Sequence, residues 1–139
     1  MRLSSFLFKN IKNQYTKTGA QIIYDKLLEK KIKDVFLYSG GSVMPLVDKF
    51  YKGKINYFVN SHEQNCGHAA TGYAKSSGKL GVVITTSGPG ITNMITPMLD
   101  AQNDGVPLLV LSGQVGTNFM GTGAFQEAPA VKITKNITK

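Results

Sequence analysis

His62-Glu63-Gln64, Gly67-His68-Ala69-Ala70, Gly81-Val82-Val83-Ile84-Thr85-Thr86, Ser87-Gly88-Pro89-Gly90 and Pro107-Leu108-Leu109-Val110-Leu111 follow one another between Asn60 and Gly113. The order is a small-residue helix, an apolar strand, a glycine turn, a further helix and a second apolar strand. The Gly81 strand is apolar on both faces, which suits a sheet covered on both sides. Strands alternating with helices through short connections predict an α/β fold, a doubly wound and mostly parallel sheet with polar groups gathered at one edge. Glu63 is the only acidic side chain between Asp48 and Asp100, and it stands where a polar strand end gives way to the small-residue helix.

Upstream the same alternation continues. Ile22, Ile23, Leu27 and Leu28 recur at helical spacing and predict a helix from about Gly19 to Lys31. Asp34 to Tyr38 reads as a strand, Ser39-Gly40-Gly41-Ser42 as its turn, and about Val43 to Tyr51 as a helix with Pro45 in its first turn. Ile55 to Val59 is the next strand, and Gln64 to Ser77 a helix whose Gly67, Ala69, Ala70, Gly72 and Ala74 allow close packing. Past Thr86 a helix is expected over about Gly90 to Asp104, then a strand over Val106 to Leu111. Beyond Gly113 the pattern turns irregular, and no helix or apolar strand is expected after Ile133-Thr134. The sheet would then lack its last helix and strand.

The chain has 139 residues, 42% of them hydrophobic and 17% charged, as expected of one globular domain with its own core. No apolar run approaches the roughly 20 residues a membrane helix needs. A soluble protein with no membrane partner is therefore expected. The formal charge is +8, yet fifteen of the sixteen basic residues are lysine and only Arg2 is arginine. Nucleic-acid readers lean on arginine for bidentate contacts. Several of the lysines close helices, where cations oppose the macrodipole, so no nucleic-acid partner is expected. Residues 1–17 are basic and contain no acid. They read as an ordinary frayed terminus or as a weak mitochondrial presequence.

Three groups could carry chemistry. His62-Glu63 begins like a zinc-protease helix, but the second histidine would fall on Cys66, and His68 lies on another helix face, so no metal site is expected. Ser87-Gly88-Pro89-Gly90 matches neither the dinucleotide fingerprint nor the phosphate loop; it is a plain strand-to-helix turn or a backbone cradle at a helix start. Glu63 is a capping residue or a catalytic carboxylate. At a helix start the dipole favours its anion, whereas burial among Gly and Ala opposes it.

Taken together, His62-Glu63-Gln64, Gly67-His68-Ala69-Ala70-x-Gly72-Tyr73-Ala74 and Thr86-Ser87-Gly88-Pro89-Gly90-x-Thr92-Asn93 resemble the pyrimidine-binding domain of thiamine-diphosphate enzymes, acetolactate (acetohydroxyacid) synthases above all. Tyr38-x-Gly40-Gly41, Gly105-x-Pro107, Ser112-Gly113-Gln114-Val115 and Ala124-Phe125-Gln126-Glu127 extend the likeness from about Thr18 to Lys139. The resemblance implies that Glu63 is catalytic, hydrogen-bonding the N1′ nitrogen of the aminopyrimidine so that the cofactor can lose its C2 proton. By the same resemblance Gly40, Gly41, Thr86, Pro89 and Asn93 bind the cofactor, and Phe125 and Gln126 line the substrate channel. The implied substrates are small 2-keto acids such as pyruvate, condensed with loss of CO2 in branched-chain amino acid biosynthesis.

Departures from the family pattern are Ser39, Gly116 and Gly123, where synthases usually carry Pro, Pro and Asp, and Thr71, where they carry an acid. The flavin domain and the diphosphate domain with its Gly-Asp-Gly…Asn motif for Mg²⁺ have no match here. Residues 18–139 therefore read as an incomplete pyrimidine-binding domain, supplying only the aminopyrimidine half of a thiamine diphosphate site and inactive alone. Mg²⁺ and FAD would be held by domains this chain lacks. The implied partner is a second copy in a homo-oligomer or a chain supplying the diphosphate domain. A split 2-oxo-acid decarboxylase subunit and a non-catalytic partner of a full-length synthase are the alternatives. The expected address is cytoplasmic, with a mitochondrial one open.

Overall fold

The computed structural model describes residues 17–139, so the expectations for the basic tail lie outside the described residues. Four strands form one parallel sheet: β1 (Asp34–Leu37), β2 (Asn56–Val59), β3 (Gly81–Thr85) and β4 (Leu108–Ser112), in the order β2-β1-β3-β4. The chain leaves β1 toward β2 on one side and returns to β3 on the other. That reversal is the topological switch point of an open α/β sheet.

Side-chain alternation along the strands separates two cores. Val35 and Leu37 of β1 and Val82 and Ile84 of β3 point to one face. There they meet Tyr24 and Leu27 of α1 (Gly19–Glu29) and Leu46 and Phe50 of α2 (Met44–Phe50). Val83 points to the other face, onto Cys66 and Ala70 of α3 (Glu63–Ser77), Ile91 of α4 (Pro89–Thr92), and Met94 and Met98 around the start of α5 (Ile95–Asn103). Every residue of β3 is buried, as a centre strand covered on both sides requires. The fold is the doubly wound α/β class expected.

The small-residue face of α3 does what its composition implies. A Cβ on Gly67 would come within 2.4 Å of the Pro97 ring, so α3 and α5 meet at a distance only glycine allows.

Three features differ from expectation. The helix foreseen over about Gly90 to Asp104 is two helices, α4 and α5, parted at Asn93-Met94. Pro97 accounts for the break: in one continuous helix its ring would strike the carbonyl of Asn93, four residues back, and it has no N–H to give that carbonyl. With Pro97 in the first turn of α5 neither problem arises. The glycine turn after β1 is a 3₁₀ turn, Gly41–Val43, ahead of α2. The stretch after Gly113 is not wholly irregular, since it holds a 3₁₀ turn at Thr117–Phe119 and a short helix, α6 (Ala130–Thr134).

The two edge strands are less covered than β3. Tyr57, Phe58 and Val59 of β2 are exposed, although Phe58 stacks on Phe36 at 5.4 Å. β4 pairs only with β3, and its half-buried Leu108 and Val110 open onto an apolar groove bounded by Met98, Ala130 and Ile137.

Two local strains are testable. Helix α1 starts at Thr18, whose Oγ1 accepts the Gln21 N–H at 3.2 Å, and ends in a Schellman motif: Lys31 N–H to Leu28 O and Ile32 N–H to Leu27 O. The left-handed position, normally glycine, is Lys31 at φ 58°. Lys31→Gly is expected to stabilise the chain by about 0.5–1 kcal/mol in urea denaturation, the relief of left-handed strain less glycine's greater freedom when unfolded. Thr85 is fully buried, and its Oγ1 has no hydrogen-bond partner among the described residues. The near-isosteric Thr85→Val is expected to stabilise by about 1 kcal/mol, because an orphaned hydroxyl is replaced by a methyl.

Candidate functional site

All four strands run the same way, so the residues that follow each of them share one edge of the sheet. Glu63 is the first residue of α3, after β2. Gly40 and Gly41 follow β1, Thr86 to Pro89 follow β3, and Ser112 to Gln114 close β4.

Glu63 is buried, at 5% exposure, and its Oε2 accepts the Asn93 Nδ2 amide at 2.9 Å. Asn93 caps the end of α4, at the break that Pro97 imposes, and this turns its side chain to the start of α3. The α3 start is itself capped: His62 Nδ1 accepts the Gln64 N–H at 3.1 Å. That contact makes Nδ1 the acceptor nitrogen of the ring. A carboxylate one residue inside a capped helix start faces the positive end of the macrodipole.

The switch point is closed by contact. A Cβ on Gly40 would lie 2.4 Å from Thr86 Cβ and 2.5 Å from its Oγ1, so the turns after β1 and β3 touch. Gly41, by contrast, has open space about it. Ser42, which the sequence reading used only as part of a turn, joins three strand ends. Its Oγ shares a hydrogen bond with Thr86 Oγ1 at 3.0 Å and accepts the Ser87 N–H at 3.0 Å, and Gly113 packs against it. Ser112 Oγ donates to Thr86 O at 3.2 Å, and the Gly113 N–H to Thr85 O at 2.9 Å.

Gly88 adopts φ 56°, ψ −112°, a conformation open in practice to glycine alone, and Pro89 then begins α4. A Cβ on Gly88 would come within 2.7 Å of Gln126 O, so the Ser87-Gly88-Pro89-Gly90 turn seats the backbone of Gln126. Gln126 is itself at φ 58°. Phe125 is 88% exposed and belongs to neither core. The fold thus joins Glu63 to Asn93, Gly40 to Thr86, and the Pro89 turn to Gln126, while Phe125 stands free.

Cys66 Sγ is buried and takes the Asn60 Nδ2 amide at 3.6 Å, and burial pushes its thiol above the usual 9.0. His68 Nδ1 lies 3.9 Å from Asp100 Oδ2. Among the described residues no three His, Cys, Asp or Glu side chains gather as metal ligands, and no helix is long and apolar enough to cross a membrane.

Residues 17–133 match the family described as thiamine pyrophosphate enzyme, N-terminal TPP binding domain. The chain is 48% identical over 123 residues to the mitochondrial acetolactate synthase catalytic subunit of Saccharomyces cerevisiae, covering 88% of this chain and 18% of that protein. It is 48% identical over 124 residues to the mitochondrial acetolactate synthase of Schizosaccharomyces pombe, over 88% of this chain and 18% of that one. The acetolactate synthase large subunit of Lactococcus lactis is 48% identical over 132 residues, 94% of this chain and 23% of that protein. The chain spans about a fifth of the length of the curated relatives it matches.

The two adjacent glycines should respond differently to one added methyl. Gly40→Ala forces Cβ into the Thr86 side chain and is expected to cost about 1–3 kcal/mol. Gly41→Ala, with nothing in reach, is expected to change stability by less than about 0.5 kcal/mol. Urea denaturation of both variants measures the difference.

Proposed function

As the chain belongs to the thiamine pyrophosphate enzyme N-terminal TPP-binding domains, we propose that it supplies the aminopyrimidine half of a thiamine diphosphate site in an acetolactate-synthase-like enzyme. The observation that carries this reading is Glu63: a buried carboxylate at a capped helix start, on the edge where four parallel strands end, with one oxygen held by Asn93. Around that edge the turns are closely packed: Gly40 lies against the Thr86 side chain, and Gly88 against the backbone of Gln126.

When bound, thiamine diphosphate supplies a stabilised carbanion, the chemistry needed to join two 2-keto acids with loss of CO2. Glu63 hydrogen-bonds a ring nitrogen of the aminopyrimidine and exchanges a proton there, general acid–base work for which a carboxylate withdrawn from water is suited. Asn93 keeps the carboxylate aimed. Gly40, Gly41, Thr86 and Pro89 give the backbone walls, and Phe125 and Gln126 border the approach of a small keto acid such as pyruvate. The product would serve branched-chain amino acid biosynthesis.

Residues 18–139 are, on this reading, a pyrimidine-binding domain, and diphosphate, Mg²⁺ and FAD belong to domains outside these residues. Its partner is a second copy in a homo-oligomer or a chain supplying the diphosphate domain. The chain then works in the cytoplasm or in the mitochondrion, the compartment named for the two yeast relatives. Its small share of their length keeps a second reading in play, a subunit of a split 2-oxo-acid decarboxylase or a non-catalytic partner of a full-length synthase.

Calorimetric titration with thiamine diphosphate and Mg²⁺ tests the proposal, on the chain alone and with a synthase chain that carries the diphosphate domain but lacks its own pyrimidine segment. No binding alone, and binding with acetolactate formation in the pair, is the expected result. Glu63→Gln in the pair should lower turnover by about 10²–10⁴-fold. Full turnover by that variant would overturn the assignment, and tight binding by the chain alone would refute the half-site reading.

A further inference from the structure

Residues 116–127 form a loop whose two ends lie close together. Gln114 closes the neck: its Nε2 donates to Ala128 O at 2.9 Å, and its Oε1 accepts the Val115 N–H at 2.9 Å. Ala128 is buried in the core beneath α3, α4 and α5, so the neck is anchored. The loop itself has no such support. Its Phe119, Met120 and Phe125 are exposed, and none of its side chains enters either core.

The loop's first half is held by the 3₁₀ turn, with Phe119 O accepting from the Thr122 hydroxyl at 2.7 Å, and its second half by one carboxylate. Glu127 Oε1 accepts the Gly121 N–H, and Oε2 accepts the N–H groups of Gly123 at 2.9 Å and Ala124 at 3.2 Å. Gly121 and Gly123 both have positive φ, which turns their N–H groups toward a common point. The Glu127 N–H donates to Ala124 O at 2.9 Å and completes the turn. Directly before Glu127 comes Gln126, left-handed and pressed against Gly88.

We propose that Glu127 is the positioning residue of this loop: its carboxylate gathers the Gly121, Gly123 and Ala124 N–H groups, seats Gln126 against Gly88, and so sets where Phe125 stands at the mouth of the site. The consequence for substrate rests on the reading of that mouth as a keto-acid approach, whereas the anchoring of the loop does not. A residue in the left-handed region costs about 1–2 kcal/mol, so Gln126 needs an outside restraint to stay there. The hydrogen bonds to Glu127 supply it from one side and Gly88 from the other.

The carboxyl responds as an anion in such a nest should. The Gly121 N–H first, then those of Gly123, Ala124 and Thr122, hold it below its ordinary 4.5, against the opposing effect of burial. The ion pairs among the described residues, Lys17–Asp25, Lys26–Glu29, His68–Asp100 and Lys75–Asp104, all lie elsewhere. A carboxyl lowered by folding contributes order above its ordinary value and loses it as pH falls through the folded value.

Amide hydrogen exchange by NMR on the full chain tests the anchoring. In wild type, Gly121, Gly123 and Ala124 should be protected from about pH 5 to 8 and lose protection as pH falls below the ordinary 4.5 of the Glu127 carboxyl and through its lowered folded value. Glu127→Gln and Glu127→Ala should lower their protection at least tenfold at pH 7 and abolish the acid dependence, while amides of β3 stay unchanged. Unchanged loop protection in Glu127→Ala would overturn the proposal. If Glu127→Ala fails to fold, Glu127→Gln and the wild-type acid titration decide it. In the reconstituted pair, Glu127→Gln should raise KM for the keto acid at least fivefold and leave thiamine diphosphate affinity alone. A loosened loop with unchanged KM would overturn the positioning role. A wild-type pair that binds no cofactor would instead sink the proposed function and leave the exchange result standing.

Discussion

Withdrawing a carboxylate from water is unfavourable unless something pairs with it, and here that something is the Asn93 amide. An unpartnered buried acceptor costs about 1–3 kcal/mol, and more when charged. The partner exists because the helix before it is interrupted. Pro97 prevents α4 and α5 from joining, Asn93 becomes a helix end instead of a helix interior, and its amide reaches across to α3. Close approach of α3 to α5 through Gly67 shortens the gap that the amide bridges. A proline and a glycine, neither with any polar side chain, thus decide where the one buried acid can sit.

The architecture was legible because each strand and helix has its own local signature. Val82, Val83 and Ile84 are apolar on both faces, so β3 had to lie at the centre, and the structure buries every residue of it. The helix ends were legible from glycine and lysine, and fell within two residues of their observed positions at α1, α2 and α3. The break at Asn93-Met94 went unread although its cause, Pro97, is printed in the chain. A proline ends a helix or opens one, and only the choice of α5 as the helix it opens locates the break. The short helix α6 was missed because five residues carry too few turns to show a period.

Of the site, Glu63 stood out as the only acid between Asp48 and Asp100, and resemblance supplied Gly40, Gly41, Thr86, Pro89 and Asn93 as cofactor-binding residues. Physics alone could not have paired Glu63 with Asn93, since thirty residues separate them. Ser42 escaped for the same reason in stronger form, and Gln114 and Glu127 because their partners are main-chain groups. The Ser42–Thr86 bond spans forty-four residues, and the bond from Gln114 spans fourteen. Hydroxyls and amides that act on distant main chain leave no spacing to detect. Glu127 is the instructive case. Its partners are only three to six residues away, but they are backbone N–H groups, and backbone is the same at every position.

The mouth of the sheet is therefore built to two standards of rigidity. On the β1–β3 side, Gly40 lies on Thr86, and Ser42 binds Thr86 and Ser87. Thr86 and Ser87 are buried, and moving one of these contacts means moving the ends of three strands. On the side of residues 116–127, main-chain hydrogen bonds to a single partly exposed carboxylate substitute for packing. Buried packing gives way only with the fold, whereas hydrogen bonds to one side chain can open locally at small cost. On the proposed reading, the first arrangement suits the surface that would hold a rigid cofactor ring, and the second suits the border, with the exposed Phe125, that would admit one small molecule after another.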